Sequence, residues 1–323
     1  MTFDEIKKPV NQEIEIFQRT FKETMKTSVS LLDLITRYIV KRKGKQMRPL
    51  FVFLSAGIFG PSNEHTQRAA ALIELLHTAT LVHDDVVDDS NLRRGFFSIN
   101  ALWKNKAAVL VGDFLLSKGM LLALENKEYD ILEIVSFATK QMSEGELLQI
   151  EKARRLDIDE AVYFDVIRMK TASLIASCCA AGASSAGASA GQIDKMRQFG
   201  EHVGIAFQIR DDLFDFDKNN DSGKPVGGDI KEKKMTLPLI YMLNNMSIVE
   251  KKKTILNIKY RSTNIKIVNE IIDLVNHSGG IAYAKSKMEF HLKAALDILK
   301  EFDESIYKKS LIGLVEYSIS RKK

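Results

Sequence analysis

The sequence predicts an all-α protein, on three observations. None of the five prolines falls between Pro61 and Pro225, and a stretch that long without proline leaves helices uninterrupted. The same stretch is rich in Ala, Leu, Ile, Glu and Lys, with apolar residues recurring at helical spacing. No convincing run alternates with the period of a strand. The nearest, Val109-Leu110-Val111, continues into Gly112-Asp113-Phe114-Leu115-Leu116 as a helical pattern.

Taken in order, helices are expected over 3–25, 28–41, 46–59, 64–89, 98–124, 128–153, 158–169, 171–188, 191–217, 235–246, 248–258, 264–277, 280–300 and 303–319. Gly60-Pro61, Ser90-Asn91 and Gly279-Gly280 mark breaks, and Ser222-Gly223-Lys224-Pro225-Val226-Gly227-Gly228 is the one clear Gly/Pro loop. Ala180 to Gly191 is low in complexity, but small and apolar rather than polar. It reads as a tightly packed helix, not a flexible linker. With no fixed-period repeat and no linker, residues 1–323 read as a single domain.

Composition narrows the function classes. The chain is 45% hydrophobic and 28% charged, a globular balance. A formal net charge of only +5 does not demand nucleic acid and suits a small, strongly anionic substrate. Cys178 and Cys179 are adjacent, with neither metal-site nor disulfide spacing, so a reducing compartment is expected. The N-terminal residues lack the apolar run of a signal peptide, and no run approaches the roughly 18 consecutive apolar residues of a membrane span. The expectation is a cytoplasmic protein with no transmembrane segment.

The chemistry resides in two copies of one acidic pattern, Asp84-Asp85-Val86-Val87-Asp88 and Asp211-Asp212-Leu213-Phe214-Asp215. In a helix the first and last Asp of each copy share one face, about 6 Å apart along the axis. Both copies end apolar helices, where the helix dipole disfavours anions and burial of carboxylates is costly without cations. Two such faces turned together would hold divalent cations and, through them, a phosphate-rich ligand. Asp217-x-Asn219-x-Asp221 imitates a calcium loop. It has Ser222 in place of the turn glycine and Gly228 in place of the bidentate glutamate, so it is set aside.

Basic residues accompany the acids: Lys45 and Arg48 at a helix start, Arg93 and Arg94 after the first motif, Lys170-Thr171, Lys224 in the Gly/Pro loop, and Lys231, Lys233 and Lys234 after it. Clustered at helix ends beside carboxylates, they read as phosphate clamps. Together they call for a substrate with at least two phosphates and bridging Mg²⁺. Neither a Walker loop nor a dinucleotide fingerprint is present, and His77 and His83 alone among six histidines lie beside the acids.

In this order, Gly44-Lys45-Gln46-Met47-Arg48-Pro49, His77-Thr78-Ala79-Thr80-Leu81-Val82-His83-Asp84-Asp85-Val86-Val87-Asp88, Arg93-Arg94-Gly95, Gly112-Asp113, Lys170-Thr171-Ala172, Phe207-Gln208-Ile209-Arg210-Asp211-Asp212, Gly223-Lys224-Pro225 and Thr236-Leu237-Pro238 resemble the trans-isoprenyl diphosphate synthases over essentially the whole chain. The resemblance implies a single helical bundle around a deep central cavity, the type I isoprenoid synthase fold, usually as a homodimer. It implies Mg²⁺-dependent head-to-tail condensation of isopentenyl diphosphate with an allylic diphosphate, with three ions. Asp84, Asp88 and Asp211 match the metal ligands, with Asp85, Asp212 and Asp215 in support. Arg93, Lys170, Gln208, Lys224 and Lys234 match the allylic diphosphate site. Lys45, Arg48, His77 and Arg94 match the clamp on isopentenyl diphosphate, and Thr171 matches a residue near the developing cation. The family often has Glu-Gly-Lys where this chain has Glu232-Lys233-Lys234.

Product length should follow cavity depth. One isoprene unit is roughly one helical turn, about 5.4 Å. One turn below Asp84 stand Ala79 and Thr80, both small, with Leu75, Leu76 or Phe137 as a deeper floor. A long product, hexaprenyl to decaprenyl diphosphate, is therefore expected, with delivery to the membrane. The alternatives are a farnesyl or geranylgeranyl diphosphate synthase, a class I terpene cyclase, which the second D-D-x-x-D and the Lys45/Arg48 clamp oppose, and a non-catalytic helical subunit, which the two intact motifs oppose.

Overall fold

The computed structural model describes residues 1–41, 44–93, 95–157, 159–217 and 226–320; for Arg93 and Ser320 it describes the backbone alone. Arg94, Lys224, most of the Ser222–Gly228 loop and the calcium-like Asn219 and Asp221 lie outside the described residues.

The architecture is a helical bundle with one short two-stranded ribbon. The order is α1 (Phe3–Lys7), a 3₁₀ turn (Lys8–Val10), α2 (Asn11–Thr24), α3 (Ser30–Lys41), α4 (Met47–Phe59), α5 (Glu64–Val87), α6 (Ile99–Glu125) and α7 (Tyr129–Arg155). There follow α8 (Glu160–Ile167), a π turn (Arg168–Ala172), α9 (Ser173–Ser185), α10 (Ala190–Phe214), α11 (Gly228–Lys231), α12 (Leu237–Asn244), α13 (Ile248–Arg261), α14 (Ile265–His277), α15 (Gly280–Leu299) and α16 (Ile306–Ser320).

Local chemistry accounts for most boundaries. Side chains of Asn63, Ser98, Asp159, Ser189 and Ser247 cap the helices that follow them. Pro9 splits the expected first helix: it lacks the N–H that an α-helix needs, and the chain takes a 3₁₀ turn there. The expected boundary between 169 and 171 is instead a π turn inside one continuous helical run. The one strand pairing among the described residues is minimal and leaves the all-α class intact. Leu92–Arg93 and Phe96–Phe97 form a two-stranded antiparallel ribbon closed at Gly95 (φ 79°), too short for any period to show in sequence.

Two contiguous cores hold the bundle. One is built from α1–α7, α9, the first part of α10 and the chain's C-terminal helices, around Phe17, Phe53, Leu72, Leu75 and Phe199. The other joins α8, the end of α10 and α12–α15 around Ile209, Phe216, Leu239 and Ile272. α9 runs between α4, α5, α7 and α10. Its small residues permit that: a Cβ on Gly182 would stand 2.3 Å from the Val52 carbonyl oxygen. The stretch read as a packed helix is buried from Ala180 to Ala183. Cys178 and Cys179 are buried free thiols, and burial pushes the Cys179 thiol up to about 12.

Among the described residues two stretches, Ile99–Glu125 and Glu160–Ser185, are long and apolar enough to cross a membrane by length and composition. The second is mostly buried as a core element, whereas α6 leaves Leu102, Leu110, Leu121 and Leu124 exposed.

Candidate active site

The first acidic motif closes α5. The Asp88 amide donates to the Asp84 carbonyl at 2.8 Å, so both residues stay in helical register. Asp89 then turns left-handed (φ 48°), with Asp89 N–H reaching the Val86 carbonyl and Ser90 N–H the Asp85 carbonyl (3.0 Å). That is a Schellman stop with aspartate in place of glycine. Asn100 of α6 donates to the same Asp85 carbonyl at 3.1 Å and pins the stop. Asp84 is half-buried, Asp85 buried and Asp88 exposed.

The second motif closes α10 and is more tightly held. Asp212 is buried; it accepts from Tyr163 Oη at 2.7 Å and from Gln208 Nε2 at 2.8 Å. Thr171 Oγ1 donates to Gln208 Oε1 at 2.8 Å, which makes a chain from Thr171 through Gln208 to Asp212. Burial, with Asp229 nearby, pushes the Asp212 carboxyl up to about 7, and burial with Asp212 beside it holds the Tyr163 phenol well above its ordinary range. Asp211 is partly exposed and pairs with Arg210, whose guanidinium lies 4.6 and 5.2 Å from the Phe207 and Phe214 ring centres. Asp215 accepts the amides of Gly228 (2.8 Å) and Asp229 (3.1 Å) at the start of α11, and burial raises its carboxyl. Its oxygens are thus engaged in capping.

A cavity of about 610 Å³ lies at the end of the first motif, lined by Asp88 and Ser90, by Glu146, Gln149 and Arg154 of α7, by Lys170, and by Glu232, Lys233, Lys234 and Lys259. Lys170 pairs with Glu146 and donates to Gln149 Oε1 at 3.2 Å. α7 can approach the π turn this closely because residue 145 is glycine: a Cβ there would meet the Lys170 backbone nitrogen at 2.7 Å. Burial lowers the Lys234 ammonium, but Glu232, Asp229 and Asp88 outweigh it and raise it. Lys234 thereby feels both sides: Asp88 of the first motif, and Asp229, which stands near Asp212 of the second.

The other expected residues are more dispersed. Arg48 faces Glu74 at 3.8 Å, and His77 is buried. Lys45 donates to Tyr317 Oη at 2.6 Å and stands on a second crevice of about 190 Å³ with Phe3, Lys7 and Gln18, not on the cavity of Asp88. Ala79, Leu75 and Leu76 are buried along α5 and Thr80 is half-buried, its hydroxyl donating to the His77 carbonyl. Phe137 is 59% exposed, which removes it from the cavity floor within one chain. Sequence reasoning missed Tyr163, Glu146, Gln149, Asp229 and Lys259. Only the spacing of Glu146 and Gln149, one helical turn apart beside a glycine, hinted at a shared face.

The donor set is oxygen alone, which suits a hard divalent cation. Among the described residues no three His, Cys, Asp or Glu side chains already stand together as a metal cage. Mg²⁺ is commonly held by one or two carboxylates plus substrate phosphates, and an incomplete protein cage fits that mode.

The fold and site therefore define a helical enzyme for diphosphates, with carboxylates and lysines facing one cavity. The polyprenyl synthetase family profile matches residues 29–275. The all-trans-nonaprenyl-diphosphate synthase (geranyl-diphosphate specific) of Rhodobacter capsulatus is 35% identical over 97% of this chain and 96% of its own. A polyprenyl synthase from Caulobacter crescentus, solved with calcium and isoprenyl diphosphate, superposes with a TM-score of 0.91 at 31% identity, covering 100% of this chain and 98% of that one. Geranylgeranyl pyrophosphate synthase from Bacteroides thetaiotaomicron superposes with a TM-score of 0.84 at 36% identity, covering 98% and 99%. The chain belongs to the polyprenyl synthetase family. It is a trans-prenyltransferase, of the class that condenses isopentenyl diphosphate with allylic diphosphates.

Proposed function

We propose that the protein elongates an allylic diphosphate to a long-chain all-trans polyprenyl diphosphate, in the hexaprenyl to decaprenyl range. The observation that carries this reading is the small, buried Ala79, with Thr80 beside it, one turn below Asp84. A growing chain meets no bulky side chain there. Leu72 and Leu76, which pack against Gly119 of α6, come only further down. The nonaprenyl relative supports the long product; the likeness to a geranylgeranyl synthase keeps the short product as the second reading.

In this reading Asp84, Asp88 and Asp211 hold Mg²⁺, in three ions, with Asp85, Asp212 and Asp215 bracing the two helix ends. Mg²⁺ held by these carboxylates would supply positive charge to the diphosphate leaving group as the allylic C–O bond ionises. Lys170, Lys234, Arg93 and Lys224 bind the allylic diphosphate, while Lys45, Arg48, His77 and Arg94 receive isopentenyl diphosphate. Thr171, hydrogen-bonded to Gln208 of the allylic diphosphate site, stands near the developing cation, and apolar walls exclude water from it. The alkene then attacks, and the released pyrophosphate takes the proton. The free, buried thiols support a cytoplasmic location.

Incubation with Mg²⁺, labelled isopentenyl diphosphate and a series of allylic primers tests this by product size. Wild type should give products of six to ten isoprene units, and Ala79→Phe should shorten them by several units. An unchanged product distribution in Ala79→Phe would refute the account of α5, and no elongation from any primer would refute the activity.

A further inference from the structure

One outward surface combines charge and apolar exposure in a way the reaction does not use. Between Ser247 and Lys266 the chain carries Lys251, Lys252, Lys253, Lys259, Arg261 and Lys266 against the single carboxylate Glu250. Their net charge of +5 equals that of all 323 residues, so the rest of the protein is neutral. Lys251 is half-buried and the other five cations are exposed. Among the described residues none of the six pairs with a carboxylate.

Among these cations stand Ile248 and Val249, 75% and 77% exposed, Tyr260 at 72%, Ile265 at 64% and Leu256 at 54%. Helical spacing puts Val249, Lys252, Lys253, Leu256 and Tyr260 on one face of α13. The opposite face, Thr254 and Ile258, is buried. Ser247 and Glu250 form a capping box that fixes where α13 begins and which way it presents this face.

We propose that the outward face of α13, with the turn into α14, docks on the surface of an anionic lipid bilayer. Long lysine stems reach phosphate headgroups while the apolar tips between them enter the acyl boundary. A second copy of this chain is a poor occupant, because two surfaces of charge +5 repel. The exposed aliphatic tips likewise have no use against a polyanion such as nucleic acid. Position gives the contact a consequence. Lys259 of α13 also lines the diphosphate cavity, so docking brings the cavity's mouth to the bilayer, where an apolar chain with a diphosphate head partitions.

The test uses the full chain and vesicle co-sedimentation, independent of product length or activity. Vesicles of phosphatidylcholine with about one-third phosphatidylglycerol should bind the protein at least about ten-fold better than phosphatidylcholine alone. At about 0.5 M salt, where screening shortens to a few ångströms, that preference should vanish. Lys252→Glu with Lys253→Glu should abolish binding. Val249→Ser with Leu256→Ser, which keeps the charge, should weaken it several-fold. All four residues are exposed, and an unchanged thermal midpoint confirms that each variant is folded. Equal binding to neutral and anionic vesicles, no binding to either, or wild-type binding by the charge-reversed variant would overturn the proposal. Retention on an immobilised polyanion without vesicle binding would also overturn it and point to an acidic macromolecule.

Discussion

At the scale of single residues, Lys233 departs from local rules at the cavity. It takes φ 60°, the left-handed region that costs a side chain about 1–2 kcal/mol, and its side chain stands on the cavity wall beside Lys234. The structure thereby accounts for the glycine that related sequences often place there. Strain kept at such a wall is expected where the side chain has a use. Lys233→Gly should raise stability by up to about 1 kcal/mol in denaturant unfolding. It should also raise KM for the allylic diphosphate while kcat changes little. His291 makes a second residue-scale case. Its Nδ1 lies 2.9 Å from that of His202; burial and the neighbouring imidazole push His291 down to about 4, and burial lowers His202. The unfolded chain, with histidines near 6.5, binds more protons than the fold between those values. This pair's stability is therefore intact above about pH 6.5 and lost as pH falls toward 4. His291→Phe should flatten the fall in thermal midpoint between about pH 7 and pH 5.

Individual elements show how local sequence and tertiary contact divide the work. The ends of α5 and α10 were legible because apolar helical spacing stops at the aspartates and each stop is made by backbone and side chains close in sequence. The π turn at Arg168–Ala172 was not legible. Its widened turn sits where α7 crosses, and the crossing depends on Gly145, more than twenty residues away. Such turns recur at functional sites, and this one carries Lys170 and Thr171. Gly145→Ala should displace the Lys170 backbone, lower thermal stability by a few degrees, and reduce kcat by at least about ten-fold, because misplacement of about 1 Å is costly to catalysis. A wild-type kcat in a folded Gly145→Ala protein would show that the crossing does not position Lys170.

For the whole molecule, the neutral remainder of the surface includes the apolar side of α6 beyond its break at Lys104 (φ 70°), where Leu110, Leu121 and Leu124 are exposed. Phe137 is exposed on neighbouring α7. A homodimer formed through this side would cover these residues and give Phe137 a buried place. Light scattering should return twice the 36.4 kDa chain mass for wild type and the chain mass itself for Leu110→Asp. A monomeric wild type would refute the interface.

The sequence by itself determined the helical class, most helix ends and the two carboxylate motifs. Those follow from proline spacing, capping side chains and apolar periodicity, all interactions within a few residues. Tertiary structure decided what each acid does. Asp212 is buried against Tyr163, 49 residues away, and Asp215 caps α11, whereas Asp88 faces the cavity. It also decided that Lys45 meets Tyr317, 272 residues distant, and that Phe137 faces outward. The same side chain is a ligand, a brace or a surface charge according to its burial and partners, and those are set only when distant segments pack.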